Sequence, residues 1–101
     1  MTGLRIAEDA DVQIQRIEAW WRENRRAAPE LFSIELADAL DALTHTPTLG
    51  TSYAERSGVV VRRLLLRRSR YHVYFSYDAA ADIVEVRALW HTARGTGPAL
   101  G

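Results

Sequence analysis

The chain has 101 residues, thirteen cationic against thirteen acidic side chains, and no cysteine. That length suits one domain with one core, and the missing cysteines exclude disulfides, thiolate metal ligands and a cysteine nucleophile. No apolar run approaches the roughly 20 residues that cross a bilayer, and Met1-Thr2-Gly3 opens no secretory signal, so a cytoplasmic protein is expected. All thirteen cations are arginine and the two halves differ: residues 1–50 carry five arginines against nine acids, residues 51–101 eight against four. The basic C-terminal half suits an anionic or acidic partner, because guanidinium groups grip phosphate and carboxylate with two parallel hydrogen bonds.

Leu4 to Ile6 is a short apolar run that predicts an edge strand. From Glu8 the pattern turns helical, with Ala10, Ile14, Ile17 and Trp21 on one stripe and Glu8, Asp9 and Asp11 at the positive end of the helix dipole. Arg25 and Arg26 suit its C-terminal carbonyls, and Trp20, off the stripe, is expected to pack on the next helix. Pro29 fits the first turn of that second helix. Phe32, Leu36, Ala39, Leu40 and Leu43 form its apolar face, His45 complements its dipole, and Thr46-Pro47 ends it. The spacing thus predicts an antiparallel helical hairpin over about 8–46. Leu49 to Gly58 reads as a loop in which Tyr53 and Arg56 have no assigned role.

Three strand-forming runs follow, a meander over about 59–90. Val59 to Arg67 and Tyr71 to Tyr77 flank the short polar turn Arg68-Ser69 and read as a hairpin. Its pairing sets Leu66, Leu64 and Arg62 against Tyr71, Val73 and Phe75 on one face, and Leu65 and Arg63 against His72 and Tyr74 on the other. In the third run, Ile83 to Trp90, the apolar Val84, Val86, Ala88 and Trp90 alternate with Glu85 and Arg87, so the apolar parity is expected to face the core. With Phe75 opposite Val86, Tyr74 would lie beside Arg87, and the outer face would carry the row Arg63, Tyr74, Arg87. The basic tail, 91–101, with His91 and Arg94, has no periodicity and reads as a surface segment. These parities predict an α+β fold in which the N-terminal strand and the helical hairpin pack on one face of an antiparallel sheet completed by the three C-terminal strands.

No phosphate-binding loop, dinucleotide fingerprint or nucleophile elbow is present. His45, His72 and His91 are far apart and lack spaced carboxylates, so neither a metal nor a cofactor is expected. His72 and His91 fall on or near the outer face among arginines, where imidazole can move protons in phosphodiester chemistry. An arginine-and-tyrosine face can hold phosphate and stack bases, or grip an acidic peptide.

The order of strand, helical hairpin, Pro47-x-x-Gly50 loop and three strands resembles the RelE/ParE superfamily of bacterial type II toxins over nearly the whole chain. So do Arg62-Arg63-Leu64-Leu65-Leu66, Tyr71-His72-Val73-Tyr74-Phe75 and the ending from Val86 to Arg94. The resemblance implies an acidic or amphipathic antitoxin, encoded beside the toxin, that wraps it. The uncompensated positive charge of the sheet half leads to the expectation that an acidic, partly apolar segment of this partner binds there. The resemblance also implies a target that differs by branch: DNA gyrase for ParE, mRNA in the ribosomal A site for RelE. Where RelE-type ribonucleases carry an arginine after the tyrosine that opens the second hairpin strand, this chain has His72. Arg94 matches their arginine after the last strand, no tyrosine follows Tyr77, and Arg63 and Arg67 are present while Leu65 replaces a further base. The long first helix with Trp20-Trp21 and the ending Trp90-His91-x-x-Arg94 look more like ParE. The expectation is a gyrase-binding toxin using Arg63, Tyr74, Arg87, His91 and Arg94. The alternatives are a ribosome-dependent endoribonuclease using His72, Arg63 and Arg94, or a degenerate, non-toxic binding module.

Overall fold

Two helices and five strands follow in the order β1 (Gly3–Ile6), α1 (Glu8–Asn24), α2 (Leu31–His45), β2 (Thr51–Arg56), β3 (Val59–Leu66), β4 (Tyr71–Asp78) and β5 (Ile83–His91), with a 3-10 turn at Thr92–Arg94. The structure, a computed structural model, describes residues 2–95, 97 and 98. Part of the basic tail, residue 96 and residues 99–101, therefore lies outside the described residues. The strands form one sheet in the order β1-β5-β4-β3-β2.

Both helices cover one face of this sheet, giving the α+β architecture that the apolar parities predict. Ala10, Ile14 and Trp21 of α1 and Phe32 and Leu36 of α2 meet Leu66, Val73, Val86 and Leu89 in a single buried cluster, with Ile17, Ala39 and Leu40 packed against it. A second cluster joins Leu43 to Phe75 and Val84. Pro29 stands two residues before α2 rather than inside its first turn, in a bend that Leu31 N–H closes on the Ala28 carbonyl at 3.2 Å.

The sheet is mixed, not antiparallel, because β1 runs parallel to β5. Four exposed residues on a sheet edge carry no signal of direction. The segment read as a loop contains β2, which pairs antiparallel with β3 and has its own irregularity between Ser52 and Ala54. Gly50, at φ 78, opens it: a side chain there would collide with the Arg63 carbonyl. Arg62 fastens the same corner by donating to the Leu49 and Gly50 carbonyls at 3.1 and 2.9 Å.

The β3–β4 pairs are those expected, from Leu66 with Tyr71 to Arg62 with Phe75, and Phe75 meets Val86. Beyond that pair the register shifts: Tyr74 faces Ala88, so Arg87 is the extra residue of a β-bulge. The shift reverses parity along the rest of β5. Leu89 joins the helix-side core, while Ala88 and Trp90, expected there, lie on the outer face with Val61, Tyr74 and Tyr53. Tyr74 therefore does not stand exposed between Arg63 and Arg87: it is 1% exposed beneath this second aromatic layer. The tail also departs from a free surface segment, since Pro98 is buried and Gly97 lies so close to Tyr53 that any side chain would meet its hydroxyl.

The β3–β4 connection is a four-residue turn, Arg67 to Arg70, longer than Arg68-Ser69 suggests, with Arg70 at φ 68. Glu35 of α2 holds it, accepting from Arg68 N–H at 2.7 Å, Ser69 N–H at 2.9 Å and Ser69 Oγ at 2.7 Å. Partial burial pushes the Glu35 carboxyl up, but the bonds from Ser69 and Arg68 and the Arg68 charge outweigh it and hold the group below its ordinary value.

Two predictions follow from this packing. Phe75→Ala should cost about 3–5 kcal/mol, as for buried aromatics generally, and near-wild-type melting would contradict its core position. A carboxyl depressed by folding stabilises fully above its unfolded pKa and loses that contribution as pH falls through the folded value. Glu35→Gln should thus lower stability by about 1–3 kcal/mol at pH 7, with the deficit shrinking as the pH falls below the ordinary glutamate value of 4.5. Denaturant titrations of both proteins at neutral and acid pH measure this.

Candidate functional site

The aromatic layer on the outer face spans four adjacent strands, β5-β4-β3-β2. Tyr53 comes from β2, Tyr74 from β4 and Trp90 from β5, with Val61 and Ala88 filling between them. The Tyr53 and Tyr74 rings meet edge to face, 4.7 Å between centroids. Two expected site residues are laid upon this layer. The Arg63 guanidinium lies 5.3 Å from the Tyr53 ring centre, and that of Arg94 lies 3.6 Å from the Trp90 ring centre. Cation–π contact holds each long side chain over a ring and limits its freedom. Arg94 reaches its place because the chain leaves β5 through a 3-10 turn, in which Ala93 N–H donates to His91 Nδ1 at 3.0 Å. With Nδ1 engaged as an acceptor, Nε2 is the ring nitrogen left to meet a ligand.

Arg63, His72, Tyr74, Trp90 and His91 line a shallow hollow of about 220 Å³ here. His72 faces Trp90 across the β4–β5 ladder and stands 6.0 Å from the Tyr74 ring. Its protonation is disfavoured first by partial burial and then by the Arg63 and Arg70 charges, which together hold it below the ordinary imidazole value. The hollow therefore offers a neutral imidazole beside a fixed guanidinium. It can accept hydrogen bonds and bind anionic groups, and it is smaller than the ~300 Å³ at which small-molecule clefts begin.

The structure brings together Arg63, His72 and His91, with Tyr74 as a buried support rather than a contact, while Arg94, stacked on Trp90, lines a neighbouring depression with Gln13, Arg16 and Ile17 of α1. Arg87 is not among them. Its guanidinium donates to Ser76 Oγ at 3.4 Å, and it lines a separate groove with Arg5, Arg62, Asp78 and Glu85, where Arg5 pairs with Glu85 at 3.3 Å. The row Arg63, Tyr74, Arg87 is accordingly replaced by Arg63 on Tyr53 and Arg94 on Trp90. Tyr53 and Trp90 are the residues that sequence reasoning missed in this role. The β-forming triplet Thr51-Ser52-Tyr53 could have shown the first; the bulge that turns Trp90 outward is marked by no glycine. Trp90 Nε1 is buried and meets no acceptor among the described residues.

No group of three histidine or acidic residues that could hold a metal occurs among the described residues, and no helix among them is long and apolar enough to cross a membrane. No protein-family model matches the chain, and no curated protein matches it.

The electrostatics of the hollow make one measurable forecast. In an NMR titration the His72 ring should show a midpoint below 6.5, and Arg63→Gln should move it upward without restoring it fully, because burial remains. A midpoint that ignores Arg63 would remove that guanidinium from the site.

Proposed function

We propose that this chain is the toxin of a bacterial type II toxin–antitoxin pair, acting in the cytoplasm by binding DNA gyrase and neutralised by an antitoxin encoded beside it. The observation that carries the reading is the pair of guanidiniums stacked on Tyr53 and Trp90 across a shallow outer face. Arginine and aromatic residues are the types most enriched among interface hot spots, and a surface that holds them in place lowers the entropy cost of docking. The order of elements in the fold is in keeping with the resemblance to the RelE/ParE superfamily. The antitoxin would place an acidic, partly apolar segment on the basic sheet half, through contacts that weaken as salt rises.

A second reading, a ribosome-dependent endoribonuclease, is favoured by one observation: His72 is held neutral beside Arg63, as a general base next to a scissile phosphate would be. The two readings separate on one substitution. Expressed without antitoxin, the wild type should stop growth. Arg94→Ala should relieve it through a loss of about 2 kcal/mol or more in target binding, and His72→Ala should change little. In the endoribonuclease reading His72→Ala instead lowers cleavage by about 10² to 10⁴-fold with binding preserved. Purified gyrase in a supercoiling assay, beside a primer-extension map of translated mRNA, identifies the target. Full toxicity of Arg94→Ala would remove the tail from the surface, and growth unaffected by all three proteins would leave a non-toxic binding module.

A further inference from the structure

A second cavity of about 330 Å³ lies between the C-terminal end of α1 and the β3–β4 turn. Trp20, Trp21 and Arg25 come from the helix end, and Arg68 and Arg70 from the turn. Three arginines thus border one small space. Among the described residues none of the three forms an ion pair with a carboxylate. Glu35 offsets part of the Arg68 charge, but its oxygens are occupied by the Arg68 and Ser69 N–H groups and the Ser69 hydroxyl.

The C-terminus of a helix ordinarily repels anions. Here its last carbonyls already have donors: Arg25 N–H bonds the Trp21 carbonyl at 2.9 Å, Asn24 Nδ2 the Trp20 carbonyl at 2.9 Å and Arg25 Nη1 the Asn24 carbonyl at 3.3 Å. Arg25 is also held over the Trp20 ring, 4.8 Å from its centre. The turn that presents Arg68 and Arg70 is fixed by Glu35, and by Thr92 N–H donating to the Arg70 carbonyl at 2.9 Å. Beside these cations Trp20 is 43% exposed, an aromatic surface left uncovered at the cavity's edge.

We propose that this cavity binds the phosphate of a nucleotide, with Arg25, Arg68 and Arg70 on the phosphate oxygens and the base against Trp20. A phosphate monoester carries close to two charges and presents three terminal oxygens to several N–H forks, whereas a peptide carboxylate brings one charge. A flat base suits an indole face. The volume admits one small ligand, so the bound unit is a single nucleotide, free or at the phosphorylated end of a strand.

Titration of the purified full chain, followed by the indole N–H signals of its three tryptophans and by calorimetry, tests this. Adenosine monophosphate should shift the Trp20 and Trp21 signals and leave Trp90 in place. Orthophosphate should bind more weakly, and adenosine should not bind. Arg68→Ala with Arg70→Ala should weaken the monophosphate about tenfold or more, while Trp20→Ala should bring its affinity down to that of orthophosphate. A 5′-phosphorylated oligonucleotide that binds more tightly than the monophosphate identifies a strand end as the ligand, and equal affinity identifies the free nucleotide. The proposal is overturned if the monophosphate does not bind at millimolar concentration, if the variants bind it as wild type does, or if a glutamate-rich peptide binds the cavity more tightly. This measurement uses neither growth nor gyrase, so it stands or falls apart from the toxin reading.

Discussion

The extra residue that β5 accommodates at Arg87 determines what each face of the sheet is made of. Side chains alternate along a strand, so one unpaired residue exchanges the faces of everything beyond it. Before the bulge Val84 and Val86 point into the helix-side core; after it Leu89 does, and Ala88 and Trp90 turn outward. Without the bulge Trp90 would enter a core already filled by Trp21, Phe32 and Leu66, and the outer face would lose the ring that carries Arg94. The same irregularity is tied to the helix layer. β1 pairs with β5 only as far as Val86, and where it stops Gln13 of α1 accepts from Leu89 N–H at 2.8 Å. A helix side chain thus satisfies a ladder group that the short edge strand cannot reach.

A second constraint acts at the turn of the β3–β4 hairpin. Buried backbone donors in a turn need acceptors, and Glu35 supplies both oxygens to one turn from a helix far away in sequence. This bond set fastens α2 to the β3–β4 connection and positions the arginines of that turn. Tyr71 starts β4 there, packed edge to face between Phe32 at 5.2 Å and His91 at 4.9 Å. One aromatic run therefore leads from the second helix to the end of β5, where the two cavities share His91 as a wall.

The helix stripes and the β3–β4 register were legible in the sequence because each rests on a period repeated several times: Ala10, Ile14 and Trp21 recur on one helical face, and Leu64 and Leu66 repeat at a strand spacing. What escaped reading rests on single residues. Nothing in Glu85-Val86-Arg87-Ala88 distinguishes a bulge from strict alternation, since the apolar run Ala88-Leu89-Trp90 supplies the core with an apolar residue in either register. β2 was hidden because its residues are mostly exposed and glycines flank it. Tyr53 acquires its role only through Tyr74 and Gly97, which are remote in sequence. Of the candidate site, the closeness of Arg63, His72 and His91 was readable from their strand positions, whereas Arg87 and Tyr74 were misplaced by the one-residue shift.

The absence of lysine takes on a structural meaning here. Arg25, Arg63 and Arg94 each lie over an aromatic ring, a geometry that a planar, weakly hydrated guanidinium fulfils better than a compact ammonium. A stacked arginine has already given up much of its rotamer freedom and still has unused N–H donors at its edge. It can meet an anion or a carbonyl with less ordering than a free side chain would require. The rings in turn are held by the two constraints above. Trp90 faces outward because of the bulge at Arg87, and Trp21, beside Trp20, is locked in the helix-side core. Stacking a cation on a ring converts the packing of the sheet into a directed positive surface, so the charge of this half acts at two defined places rather than as a diffuse field.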